Sequence, residues 1–191
     1  MRMGRIEKLF VNSRLRAARA VRHAERMLHF VGAQAGMRYL DVGCGTGAAA
    51  IHVARRYGLN VVGLDVDREQ IEVAAGSSGS LRNIGFLVGE ARQLPFGPGS
   101  FDVVTSSMVT HHVPDWETAI TEMARVVRPG GFIVHRDLRL PRWISWFLAK
   151  LTGSVPLPTE SGVRLLAERN SLHRIRASTW AMHYEAVWRK A

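Results

Sequence analysis

The chain has 191 residues, 47% hydrophobic and 22% charged, with a net charge of +10. Such a length makes one domain that buries roughly 70% of its unfolded surface, and the composition excludes a disordered chain, a coiled-coil rod and a collagen-like repeat. No apolar run approaches the roughly 18 residues of a membrane span, Met1 to Phe10 lack a signal-peptide core, and the single Cys44 excludes an internal disulfide and gives no metal-site spacing. The expectation is therefore a cytoplasmic protein without a bound metal.

Asn12 or Ser13 caps a first helix in which Leu15, Ala18, Val21, Ala24, Leu28 and Val31 recur every three or four residues, with Gly32 as its stop. Arg14, Arg19, Arg22 and Arg26 occupy its other face. Five β-rich runs follow, Arg38 to Val42, Asn60 to Asp65, Ile84 to Val88, Phe101 to Ser107 and Phe132 to Asp137. Helical patterns lie between them at Gly47 to Tyr57, Arg68 to Ala75 and Trp116 to Val127, so the sheet is expected to be mostly parallel. The link from Glu90 to Ser100 holds Pro95 and Pro98 and reads as a loop. Leu140 to Pro158 places Trp143, Trp146, Phe147 and Leu151 at helical spacing, Ser161 to Glu168 reads as a helix, and His173 to Trp180 and Met182 to Arg189 read as two strands joined by a tight turn.

Charge is uneven along this order. Residues 1–31 carry eight bases and two acids, residues 32–135 eight and ten, and residues 136–191 ten and four. Basic ends around a nearly neutral centre suit an anionic partner, although 23 of the 26 bases are Arg and solvated helix faces account for them equally well.

The most informative segment is Tyr39-Leu40-Asp41-Val42-Gly43-Cys44-Gly45-Thr46-Gly47, an apolar strand that runs into three glycines at the start of a helix. A turn this tight needs residues without a Cβ, both for its backbone angles and so that a ligand can approach the main chain. Gly43, Gly45 and Ala48 also satisfy the loose dinucleotide fingerprint, so a nicotinamide cofactor is a rival reading. Asp41 separates the two. Its charge at the strand end repels a pyrophosphate and attracts a cationic ligand, which favours S-adenosylmethionine with its sulfonium and ammonium groups. Asp65, ending the second strand 22 residues after Gly43, suits the two ribose hydroxyls, and Asp67 is better placed than Asp65 to cap the next helix.

With these motifs the chain resembles the class I S-adenosylmethionine-dependent methyltransferases, particularly the small branch of ubiquinone/menaquinone C-methyltransferase-like enzymes. The resemblance covers residues 36–137. It rests on Leu40 to Gly47, Gly63-Leu64-Asp65-Val66-Asp67, Gly89-Glu90-Ala91 with Leu94-Pro95-Phe96, Ser100-Phe101-Asp102-Val103-Val104, and Arg125-Val126-Val127-Arg128-Pro129-Gly130-Gly131, in that order. It implies a Rossmann-like seven-stranded sheet of order 3-2-1-4-5-7-6. It also implies that Gly43, Cys44, Gly45, Thr46 and Gly47 hold the methionine part of the cofactor, Asp65 with Val66 the ribose side, Glu90 and Ala91 the adenine edge, and that Ser106 faces the reacting methyl. Glu90 stands where the family usually has Asp. Pro129-Gly130-Gly131 reads as a turn feeding the fifth strand.

Methyl transfer from a sulfonium is an in-line displacement that needs alignment and exclusion of water more than catalytic side chains. The Asn/Asp-Pro-Pro-aromatic motif of amino-group methyltransferases is absent after the fourth strand, where Ser106-Ser107-Met108-Val109-Thr110-His111-His112 stands instead. His111 and His112 are the titratable pair there, and either can serve as general base or simply shape the turn before the helix that Asp115 opens.

The reading is one domain over 1–191, made of an N-terminal helical cap (1–35), a cofactor-binding core (36–137), a candidate substrate lid (138–160) and a terminal helix with an antiparallel strand pair (161–191). The expected activity is methyl transfer to a small, partly apolar acceptor. A nucleic-acid methyltransferase or binder using the basic ends, and a catalytically silent S-adenosylmethionine-binding protein, are the alternatives. The aromatic segment and the basic first helix together also suit peripheral contact with an anionic membrane, and the oligomeric state is open.

Overall fold

A computed structural model describes residues 14–138, 158–180 and 182–191. The expected cap at Asn12 or Ser13 and the aromatic positions Trp143, Trp146, Phe147 and Leu151 lie outside the described residues. The chain divides into two compact units, Met1–Glu90 and Ala91–Ala191. The elements in order are α1 (Arg14–Phe30), β1 (Arg38–Val42), α2 (Ala48–Tyr57), β2 (Asn60–Asp65), α3 (Arg68–Ser78), β3 (Ile84–Val88), β4 (Phe101–Ser107), a 3₁₀ turn (Thr110–His112), α4 (Trp116–Val126), β5 (Val127–Leu138), α5 (Glu160–Arg169), β6 (Leu172–Trp180) and β7 (His183–Lys190). The seven strands take the order β3-β2-β1-β4-β5-β7-β6. Among the described residues no helix is long and apolar enough to cross a membrane.

In the first unit β1, β2 and β3 pair in parallel, with Leu40 opposite Val62 and Val62 opposite Gly85. β1 is buried from Tyr39 to Val42, as a central parallel strand covered on both faces should be. α1 meets α2 through a 2.8 Å contact between Glu25 and His52. Its buried stripe is His23, Ala24, Met27 and Leu28, whereas Leu15 and Ala18 are exposed, contrary to the spacing argument. At about 100° per residue those two positions fall on the far side of the helix from Met27. Arg19, Arg22 and Arg26 face solvent as expected, and Gly32 ends the segment with φ 64°. Asp67 caps α3 by accepting the Glu69 N–H. α3 runs three residues beyond the expected Ala75, because Ser77 and Ser78 turn their hydroxyls onto the carbonyls of Val73 and Ala75, leaving Gly79 as the stop.

In the second unit β4 and β5 are parallel, and β7 pairs antiparallel with both β5 and β6. Asp115 caps α4 through the Thr118 N–H and Thr159 caps α5 through the Gly162 N–H. Glu122 and Arg125 of α4 pin the loop after Ala91. Glu122 accepts the Leu94 N–H at 2.9 Å, and Arg125 donates to the carbonyls of Phe96 and Leu94 at 2.7 and 3.0 Å while bridging to Glu122. The Leu94-Pro95-Phe96 and Arg125 motifs are thus two sides of one structural clamp.

Strand β5 begins at Val127, so Pro129-Gly130-Gly131 lies within it and not before it. The pairing shifts register between Phe101 and Val103, and the glycines form an irregularity inside a long strand. A Cβ on Gly131 would lie 2.8 Å from the Asp102 carbonyl oxygen, so the close approach of the two strands requires glycine there.

Candidate functional site

In the first unit the site is built at the carboxyl end of β1. Gly43 and Cys44 both donate their N–H to the Leu64 carbonyl, at 2.7 and 3.0 Å, which folds the chain back over the end of β2. Gly43, Gly45 and Gly47 have φ of 74°, 53° and 74°, a region that disfavours any residue with a Cβ. Asp65, 9% exposed, accepts the Gly45 N–H at 2.8 Å on one carboxylate oxygen and the Asp67 N–H at 3.0 Å on the other. The sequence did not reveal this bond: Asp65 ties the glycine turn to the end of β2. Each carboxylate oxygen keeps a lone pair for a further donor.

Asp41 is buried at the end of β1, Cys44, Gly45 and Thr46 are half-buried, and Gly47 is buried. Burial, reinforced by the charges of Asp41 and Asp65, pushes the Cys44 thiol well above its ordinary range, so it remains protonated and unreactive. Val66 is exposed despite being apolar, and Glu90 is exposed one residue after Gly89, whose N–H bonds the Asp65 carbonyl.

These residues fit S-adenosylmethionine. A Cβ on Gly45 would meet nothing within 4 Å except the Gln70 side-chain oxygen at 3.9 Å, so the turn is open to a ligand there. That oxygen belongs to a side chain 2% exposed and has no hydrogen-bond partner among the described residues, an acceptor suited to an N–H-bearing cationic ligand. Sequence reasoning missed Gln70, because helical spacing assigns it only a packing position on α3.

In the second unit Ala91 is half-buried and Ser106, at the end of β4, is buried, its hydroxyl lacking a partner among the described residues. His111 is largely buried and His112 exposed, their rings 3.9 Å apart. The structure adds a buried polar chain around His111. Asp137 accepts from the ring Nδ1 at 2.5 Å, from the His111 main-chain N–H at 3.2 Å, from the Leu138 N–H at 2.7 Å and from the Thr110 hydroxyl. Thr110 Oγ1 lies 3.0 Å from His135 Nε2, and His135 Nδ1 lies 2.6 Å from the Tyr184 hydroxyl. Asp137 was legible in one respect, since the expected fifth strand, Phe132 to Asp137, ends on it.

Burial alone would raise the Asp137 carboxyl, but the hydrogen bond and charge of His111, with His135 and Thr110 adding, hold it down at about 2. Burial lowers His135 below its ordinary 6.5, with the charge of Asp137 opposing, so this imidazole is neutral. Burial and the charges of Asp137 and Glu160 keep Tyr184 protonated. The sign for stability follows. A histidine whose folded value is depressed binds fewer protons than in the unfolded chain, so stability falls as pH drops below about 6.5, by at most about 1.4 kcal/mol per pH unit for one such group. We expect the His135 ring to titrate below the ordinary 6.5 and the thermal midpoint to decline as pH falls below that value. Protonation of His135 near pH 6.5 without loss of stability would contradict this.

Among known proteins, a model of the methyltransferase domain family matches residues 40–135. The chain is 38% identical over 119 residues to a demethylmenaquinone methyltransferase of Staphylococcus aureus (strain MRSA252), which covers 61% of this chain and 49% of that protein. It is 38% identical over 123 residues to the O-methyltransferase resE of Aspergillus sclerotiorum, covering 61% and 47% respectively. The chain spans about half the length of these curated relatives. A SAM-dependent methyltransferase structure from Aquifex aeolicus superposes with a TM-score of 0.77 at 19% identity, covering 100% of both chains, so the two share a fold.

Proposed function

The chain belongs to the methyltransferase domain family, within the class I S-adenosylmethionine-dependent methyltransferases, and on that footing we propose that it transfers the methyl group of S-adenosylmethionine to a small, partly apolar acceptor. The observation that carries this reading is the glycine turn clamped by Asp65, open at Gly45, with Asp41 buried behind it. The family pattern assigns Gly43 to Gly47 to the methionine part, Asp65 and Val66 to the ribose side, Glu90 and Ala91 to the adenine edge, and makes Ser106 the candidate for the methyl side. A fixed carboxylate near the turn favours a cationic ligand over a pyrophosphate. When bound, S-adenosylmethionine supplies an activated methyl on a sulfonium. The chain contributes orientation and exclusion of water, which by themselves account for large rate factors in displacement reactions. His111 and His112 are the proton-accepting candidates. The reaction is assigned to the cytoplasm on the strength of one cysteine in 191 residues, the usage of a reducing compartment.

Calorimetry on the full chain with S-adenosylmethionine, S-adenosylhomocysteine and NAD tests the reading. We expect one site for each of the first two and none for NAD, followed by incorporation of labelled methyl into the small-molecule fraction of a metabolite extract. Binding of NAD alone, or label found only in nucleic acid, would overturn it.

A further inference from the structure

We propose that the outer face of α1, together with Arg55 and Arg56 of α2, docks this protein on an anionic lipid surface. The inference stands on the first unit alone and does not depend on the methyl-transfer reading.

One side of α1 carries Leu15, Arg19, Arg22, Arg26 and Phe30, spaced four, three, four and four residues apart. At about 100° per residue and about 1.5 Å rise these positions form a single stripe about 22 Å long. All five are exposed, Leu15 at 58% and Phe30 at 40%, while Ala24, Met27 and Leu28 on the opposite side are buried. α2 extends the patch. His52 of α2 meets Glu25 of α1 at 2.8 Å, and Arg55 and Arg56, three and four residues further on, lie one turn along the same side of α2. Both are exposed. The chain leaving α1 returns to that end of α2, where the Gly36 N–H bonds the Gly58 carbonyl at 2.9 Å. Glu25 is the one acid in the two helices, and His52 already engages it. The surface is therefore basic along its whole length, with an apolar side chain at each end of the α1 stripe.

That combination selects the partner. Solvation accounts for the arginines but gives Leu15 and Phe30 nothing to gain, and the phosphate backbone of a duplex engages the guanidiniums alone. A bilayer surface uses both. Guanidiniums pair with lipid phosphates and are drawn to anionic head groups, while Leu15 and Phe30 enter the boundary with the acyl chains. Among the described residues no helix can cross a membrane, so the contact is peripheral. Because α1 buries its other apolar side chains in the protein, only the two at the ends of the stripe reach lipid. Charge therefore supplies most of the affinity, and added salt weakens it.

Sedimentation of the full chain with vesicles tests this, using phosphatidylcholine alone and phosphatidylcholine mixed equally with phosphatidylglycerol. We expect binding only to the mixed vesicles, released as sodium chloride is raised past physiological strength. Each arginine beside an anionic surface contributes about a factor of five. Arg19→Gln with Arg22→Gln, and separately Arg55→Gln with Arg56→Gln, should therefore each weaken binding about 25-fold. Both pairs should keep the wild-type thermal midpoint, since the replaced side chains are exposed. Leu15→Ser with Phe30→Ser should weaken binding several-fold at every salt concentration, because apolar contact is not screened. No sedimentation with the mixed vesicles at low salt, equal sedimentation with phosphatidylcholine alone, or wild-type binding by either arginine pair overturns the proposal. Tighter binding to duplex DNA than to the mixed vesicles at equal phosphate, with Leu15 and Phe30 dispensable, overturns it in favour of a nucleic-acid partner.

Discussion

Asp65→Ala is expected to weaken S-adenosylmethionine binding by about 100-fold or more. The carboxylate is placed to serve the ligand and the protein at once: its two oxygens already accept the Gly45 and Asp67 N–H groups, and each retains capacity for a ribose hydroxyl. Hydrogen bonds to a charged group contribute about 1.5–3 kcal/mol each, so losing two to the ribose alone corresponds to a factor of about 100 or greater. Removing the carboxylate also leaves the Gly45 N–H without its partner and loosens the turn. Asp65→Asn separates the two effects, because one amide oxygen can still accept the Gly45 N–H while the charge is gone. Calorimetry of both variants, with unfolding measured without ligand, decides the matter. Unchanged affinity in Asp65→Ala would remove Asp65 from the site.

Gly47→Ala should be among the most destabilising single-methyl changes in the first unit, costing about 2–5 kcal/mol. Left-handed backbone costs an alanine roughly 1–2 kcal/mol, and overpacking a tight core adds about 1–3. Both apply at Gly47, where φ is 74° and a Cβ would lie 2.8 Å from the Phe86 ring and 2.9 Å from Ala74 Cβ. Ala74 is fully buried on α3, so little can yield. Gly45→Ala is the contrasting case. Its φ is 53° but its Cβ would point into open space, so it should cost only the backbone part, about 1 kcal/mol, and should lose ligand affinity instead. Denaturant unfolding of both variants gives the comparison, and a Gly47→Ala loss below about 0.5 kcal/mol would contradict the packing argument.

These expectations divide along a physical line that also separates what could be read from the residues in order. The first four strands follow their predicted bounds, because alternation, β-branched content and flanking glycines are short-range signals. The caps at Asp67 and Asp115 are equally local. Apart from the local extension of α3, the errors occur where a partner distant in sequence intervenes. Leu15 and Ala18 show helical spacing but lie away from the face that α1 buries. Pro129-Gly130-Gly131 has the composition of a turn, yet pairing with β4 draws it into β5.

For the site, the glycine turn and its two aspartates announce themselves in the sequence, since backbone angles and strand ends are properties of neighbouring residues. The bond from Gly45 to Asp65 spans 20 positions, that from His111 to Asp137 spans 26, and that from Tyr184 to His135 spans 49. No local pattern encodes such pairs. They exist because parallel and antiparallel neighbours bring strand ends and connecting turns together, and because leaving a buried polar atom unpaired is costly. One-dimensional order was enough to recognise a cationic-ligand turn, whereas the buried pairing of His111 with Asp137 emerges only once strand pairing has set their environment.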